Sequence, residues 1–194
     1  MSNTLDLNAL SGQAIELKLF DHRTIFISEG INSAVAKKTI SSLIALDLED
    51  PGKPITIYLN SPGGEVNSGF AIYDAIKFLR SEVRVVSNGL TASIATVIFM
   101  APKKQFRFSL PNSKFLIHQP LIPGQVQGQA SDLEITAREI LKTRQKINEL
   151  ISAECKQPLE KVEADTARDY WMNAQEAREY GLVTKIVNNF SELT

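Results

Sequence analysis

Short apolar runs rich in β-branched residues alternate along the chain with longer stretches of helical period. The runs TIFIS (24–28), ITIYLN (55–60), VRVVS (83–87), FRFS (106–109), KFLIHQ (114–119) and VTKIVN (183–188) have the length and composition of strands. Helical segments lie between most of them, the order that produces parallel strands joined by helical crossovers. In EVNSGFAIYDAIKFLR (65–80), residues Ile72, Ala75, Ile76 and Leu79 share one face, which predicts a helix docked on a sheet. The fold class expected is therefore α/β. EDPGKP (49–54) reads as a turn between the first helix and the second strand, and no repeat or low-complexity stretch interrupts the pattern. A single domain over residues 1–194 is expected.

From 131 to 155, SDLEITAREILKTRQKINELISAEC opens with Ser131 and Glu134 in capping-box spacing and continues as a long charged helix. Its apolar stripe includes Leu133, Ala137, Ile140, Leu141, Ile147 and Ile151. At 1.5 Å per residue such a helix is about 37 Å long, more than a sheet of this size can cover. It should project, and a projecting amphipathic helix needs a cover. A second subunit is the economical one.

Composition narrows the function. A chain of 194 residues, 43% hydrophobic and 22% charged, can fill one core. With 21 basic and 22 acidic residues spread evenly, net charge −1, it carries no electrostatic footprint for nucleic acid or an anionic membrane. The start MSNTLDLNAL lacks the basic and apolar regions of a signal peptide, and no apolar run reaches the roughly 18 residues of a membrane span. A soluble protein is expected. The one cysteine, Cys155, cannot pair internally, and no Cys/His cluster has metal-ligand spacing, so a cytoplasmic or other reducing compartment fits and no metal is expected.

Chemistry, if present, has few bases to choose from. Of the two histidines, His22 sits among charges in FDHRT and reads as a solvated loop residue. His118 ends the apolar run KFLI and precedes Gln119 and Pro120, a place where a strand stops and an imidazole can be presented; a half-buried histidine satisfied by a carbonyl is the competing reading. Ser93 follows VRVVS and NGLTA and begins the helical SIATVIFMA. Asn-Gly often marks a hairpin, but no second alternating strand follows, so strand, turn and helix are expected in that order. A serine at such a tip exposes its hydroxyl beside helix N-terminal N–H groups, where developing negative charge is stabilised, although an N-cap or small packing residue reads equally well without context. A second glycine-bearing turn, NSPGGEV (60–66), can bring N–H groups of Gly63 and Gly64 to the same place. For an acid to orient His118, EADTARDYWMNAQEAREYGLV (163–183) offers Asp165 and Asp169; the aromatic neighbours Tyr170 and Trp171 suggest partial burial of Asp169 and favour it, though spacing alone leaves the choice open.

These segments resemble a family. LNSPGG, AIYDAI, the nucleophile turn GLTASI, LPNSKFLIHQP, GQASDLEI with AREIL, and RDYWMNAQEAREYGLV are similar to motifs of the ClpP family of serine peptidases, over about residues 15–190. The resemblance implies a ClpP/crotonase-like spiral of βαβ units with an N-terminal axial segment (1–14) and a handle strand and helix (120–155). It implies Ser93 as nucleophile, His118 as base, Asp169 as orienting acid, the backbone N–H groups of Gly64 and Ile94 as oxyanion hole, and Asp165 at a non-catalytic position. It further implies a serine endopeptidase subunit in two stacked heptameric rings, fed unfolded polypeptide by an AAA+ Clp ATPase. No cofactor is implied in this subunit, since the partner ATPase uses the ATP.

Several positions depart from the family pattern. Ile94 and Ala95 stand where Met and Gly or Ala are usual, and Pro102 replaces a glycine. HQPLIPGQVQGQASD is two residues longer than the common spacing and contains Pro123, which cannot donate to a ladder across a ring contact. The first dozen residues also differ, which bears on ATPase docking. These departures motivate a subunit that is active or weakly active in a mixed ring with a ClpP paralogue; the competing reading is a non-catalytic scaffold subunit whose triad is intact in letters but misaligned. Crotonases, which share the architecture, do not need a Ser-His-Asp set.

Overall fold

The computed structural model describes residues 12–121 and 128–193. Its described residues form a seven-stranded sheet flanked by helices, with elements in the order α1 (Gly12–Asp21), β1 (Thr24–Ile27), α2 (Ser33–Glu49), β2 (Ile55–Ser61), α3 (Val66–Phe78), β3 (Val83–Ala92), α4 (Ile94–Met100), β4 (Arg107–Ser109), β5 (Lys114–Ile117), α5 (Ala130–Cys155), α6 (Leu159–Thr166), β6 (Tyr170–Asn173), α7 (Ala174–Tyr180) and β7 (Lys185–Ile186). The path β1-β2-β3-β4-β7 is parallel throughout, and β5 pairs in parallel with β3 and antiparallel with β6. The α/β expectation is met, since each parallel step needs a crossover and α2 and α3 supply the first two.

Burial follows the residue pattern. Ile55, Ile57 and Leu59 of β2, Val83 and Val85 of β3, and Ile72 and Ile76 of α3 are in one core with Leu43 and Leu46 of α2. α4 is buried at all seven positions, which a helix can be only if apolar all round. Phe99 on α4 meets Phe115 on β5 edge to face at 5.3 Å between ring centres, locking the helix after Ser93 to the strand before His118.

The long strand β3 differs from the expected strand ending at Ser87 and turn at NGLTA. It runs on to Ala92 by changing partner: Val85–Ser87 pair with β4, and Leu90–Ala92 pair with β5. The step is bridged from the neighbouring strand, where β2 has a register shift between Leu59 and Ser61 and the Asn60 side chain accepts from Leu90 N–H at 2.9 Å. Other boundaries shift less. Phe106 belongs to a 3-10 turn (Lys104–Phe106) ahead of β4, and VTKIVN contributes only the two-residue β7. β6 and α1 are additions to the expected strands and helices.

α5 begins at Ala130, with Gln129 as N-cap and no side-chain cap; the Gln129 carbonyl accepts from Asp132 and Leu133 N–H. The Ser131–Glu134 capping box is thus not formed: Ser131 lies inside the first turn, and Glu134 pairs with Arg138. The helix is 26 residues long, and its two halves differ. Ile147, Asn148, Ile151 and Cys155 are buried against the body, while Leu133, Ile135 and Leu141 are exposed. Its N-terminal half therefore projects with its stripe uncovered. Residues 122–127, which include Pro123 and most of the expected handle strand, lie outside the described residues, as do 1–11 of the expected axial segment; residues 12–14 begin α1.

Candidate active site

Ser93 is the whole of the turn between β3 and α4. Its φ of 56° and ψ of −128° are in a region that side-chain-bearing residues avoid, a strain of about 1–3 kcal/mol that surrounding bonds must hold. They do so on both sides: Ser93 N–H donates to Leu116 O on β5 at 2.9 Å, and Ser93 O accepts from Thr96 N–H at 2.9 Å and Thr96 Oγ1 at 2.6 Å. The sharp turn presents the Oγ to His118, whose Nε2 lies 2.8 Å away. His118 stands one residue beyond β5, with 12% of its side chain exposed. Two strands adjacent in register thus deliver a hydroxyl and an imidazole to one point.

Asp169 stands on the other side of the ring, its Oδ1 3.6 Å from His118 Nδ1. This distance suits an ion pair but exceeds a hydrogen bond. The expected partial burial of Asp169 is not observed, since 64% of its side chain is exposed. Tyr170 turns inward to Tyr180 and Trp171 outward to solvent, so neither aromatic ring shields the carboxylate. Asp165 is elsewhere, held by Lys161 at 2.6 Å and by the Tyr180 hydroxyl at 2.9 Å. His22 is exposed at the turn after α1.

The glycine turn lies against the same elbow. A Cβ on Gly63 would fall 2.7 Å from Ala92 O and from Ser93 Cβ, and 3.2 Å from Ile94 N, while φ values of 91° and 149° at Gly63 and Gly64 suit glycine. Ile31 fixes the loop from behind by donating N–H to Gly63 O at 2.7 Å and accepting from Glu65 N–H at 2.8 Å. Gly64 N–H has no carbonyl partner among these loop bonds, and Ile94, first residue of α4, is one of that helix's unpaired N-terminal donors. The stiff Ile94 side chain is buried in a space left by Gly69 on α3, where a Cβ would come within 2.2 Å of Ile94 Cγ1. Pro102 uses its carbonyl, accepting from Arg107 Nε at 3.0 Å.

Beside Ser93 and His118 is a small cavity of ≈ 20 Å³ walled by Val66, Val97, Ile117, Ile147 and Ile151. α5 thus contributes to the site with its buried end. Among the described residues no group of three His, Cys, Asp or Glu side chains is placed to hold a metal, and no helix is long and apolar enough to cross a membrane. Gln119, not singled out in the sequence for any role, donates from its backbone N–H to Thr166 O at 2.7 Å and from Nε2 to Ala167 O at 3.0 Å. The signal for it was a polar residue directly after the imidazole where a strand has ended.

The model of the Clp protease family matches residues 9–190. The chain belongs to the Clp protease family. Among its relatives, the ATP-dependent Clp protease proteolytic subunit 3 of Rhizobium johnstonii is 44% identical over 182 residues, 94% of this chain and 92% of the relative. The ATP-dependent Clp protease proteolytic subunit of Porphyromonas gingivalis is 47% identical over 88% of this chain and 76% of its own length. In structure, a ClpP1 point mutant from Listeria monocytogenes superposes with a TM-score of 0.84 at 39% identity, covering 93% of this chain and 99% of that one. The fold is therefore ClpP/crotonase-like, and the projecting α5 of this Clp protease chain is its handle helix.

Proposed function

We propose that this Clp protease chain is a serine endopeptidase subunit that cleaves unfolded polypeptides by an acyl-enzyme mechanism. The observation that carries it is the 2.8 Å contact between Ser93 Oγ and His118 Nε2 at a strained strand-to-helix turn. His118 takes the Ser93 proton as the oxygen attacks a peptide carbonyl, and the C–O bond forms while the carbonyl π pair moves to oxygen. Gly64 and Ile94 N–H groups receive that oxyanion. His118 then passes the proton to the leaving amine, and a water, deprotonated by the same ring, releases the acyl group. Asp169 favours the tautomer with a proton on Nδ1 and offsets the imidazolium charge. No cofactor takes part in this subunit.

The names of the relatives, proteolytic subunits of ATP-dependent proteases, support an ATPase partner. The assembly we propose is two stacked heptameric rings joined through the handles in the cytoplasm, with an AAA+ Clp ATPase supplying chains and spending the ATP. The exposed apolar residues Leu133, Ile135 and Leu141 on α5 favour burial against another subunit. Hydrolysis of a short fluorogenic peptide by the purified protein and by Ser93→Ala tests the enzyme; equal rates for the two would end this assignment.

One observation favours a second function, a weakly active or scaffolding subunit in a mixed ring. Asp169 is exposed and beyond hydrogen-bond distance from His118, so the acid arm of the site is not closed in the lone chain. Peptide hydrolysis that rises only on mixing with a ClpP paralogue, and that Ser93→Ala does not reduce in the mixture, would favour the scaffold.

A further inference from the structure

We propose that Gln119 is a positioning residue for Asp169, an inference that rests on the peptidase assignment above. The carboxylate of Asp169 is mostly in solvent, so neither burial nor packing holds it over the imidazole. Its place is set by the backbone of residues 166–170, and that backbone is fastened to the His118 segment at two points. On one side, Ile117 pairs with Tyr170 in the antiparallel β5–β6 ladder. On the other, Gln119 reaches the end of α6 twice, through its N–H to Thr166 O and through Nε2 to Ala167 O. His118 lies between Ile117 and Gln119, and Asp169 lies between Ala167 and Tyr170. The two clamps thus close a short loop across which the imidazole and the carboxylate face each other.

The chemistry suits the place. The last carbonyls of a helix lack intrahelical donors, and Gln119 supplies two of them from outside. Thr166 is itself fixed, fully buried, its hydroxyl within 2.8 Å of Val162 O and 2.9 Å of Asn148 Oδ1 on α5. α6 is therefore a firm anchor, and the Gln119 side chain is the part of the clamp that substitution can remove while the backbone bond stays. Without it, the 167–169 turn is free to drift from His118, and the ring loses the charge that selects its tautomer. The amide touches neither substrate nor reacting atoms; it acts through Asp169.

The test is a double-mutant cycle on peptide hydrolysis by the full chain in whichever assembly cleaves, with Gln119→Ala, Asp169→Ala and the pair. The expected result is a fall in kcat of about tenfold to a hundredfold for Gln119→Ala with KM within about twofold, since misplacing a catalytic group by an ångström has effects of this size. Gln119→Glu, which keeps the shape but sets an acceptor against Ala167 O, should be at least as slow, and its equal size guards against loss of fold. In the Asp169→Ala background, Gln119→Ala should change kcat by less than about twofold, because its effect passes through the missing carboxylate. An unchanged kcat in Gln119→Ala, or an effect that persists in full without Asp169, would overturn the proposal. In either case wild-type cleavage abolished by Ser93→Ala would leave the peptidase assignment standing; a wild type no faster than Ser93→Ala would remove both.

Discussion

Gly63 and Ser93 approach so closely that a Cβ on the glycine would sit 2.7 Å from the Cβ of the serine. Two turns distant in sequence are thereby stacked, and the donors of one are set beside the hydroxyl of the other. Gly63→Ala must move one of them, because its φ of 91° is also unfavourable for alanine. The expected outcome is a loss of at least about 10²-fold in kcat, the scale of a lost oxyanion donor. Peptide hydrolysis, with circular dichroism to confirm the fold, measures it.

The two partners of the imidazole face different environments. His118→Ala removes the base that contacts Ser93 and should lower kcat by about 10²–10⁴-fold. Asp169→Ala should cost less, because the carboxylate is exposed, screened by water and 3.6 Å from the ring. Equal losses in the two variants, measured as kcat on one peptide, would mean that the acid arm closes fully in the working assembly.

Arg107 is a structural charge, 1% exposed, on β4. Its guanidinium donates to Met100 O at 2.7 Å and Pro102 O at 2.8 Å and pairs with Glu154 near the end of α5. Arg107→Met would leave those carbonyls and Glu154 without their cation. A loss of about 3 kcal/mol in unfolding free energy is expected, read from urea denaturation, with the Ser93 turn held at the other end of α4.

Asp47 gives the fold a pH dependence. Burial alone would raise its pKa, but hydrogen bonds from Ser81 and Arg80, with the Arg80 charge, outweigh it and hold the carboxyl below its ordinary 3.8. A depressed folded pKa contributes stability that is complete above the unfolded value and disappears as pH falls through the folded one. Asp47→Asn should therefore cost about 1 kcal/mol at pH 7, with the gap to wild type shrinking below pH 3.8. Urea midpoints of both proteins at pH 7 and pH 3 test this.

What the sequence revealed and what it hid have separate physical causes. The Ser93 elbow and the His118 strand end were legible because each is a local change, from β-branched run to small residues in one case and to Gln-Pro in the other. The continuation of β3 through Asn88 and Gly89 was not, since the bond that bridges it comes from Asn60, far back in the chain. Likewise β6 was not singled out as a strand, since its four residues are short and it is completed only by antiparallel pairing with β5. The exposure of Asp169 was misread because adjacent aromatic residues in a strand point to opposite faces, so Tyr170 inside and Trp171 outside give the residue before them no cover. The α5 stripe was readable in period, but only the structure separates its buried end from its uncovered one.

The most direct test of the central claim is the reaction of the folded protein with a serine-reactive fluorophosphonate, followed by mass spectrometry of the labelled peptide. A 2.8 Å Ser93–His118 contact at a strained turn calls for stoichiometric labelling at Ser93 that His118→Ala suppresses and Ser93→Ala abolishes. Labelling absent from every assembly, or found on a serine other than Ser93, would contradict the account.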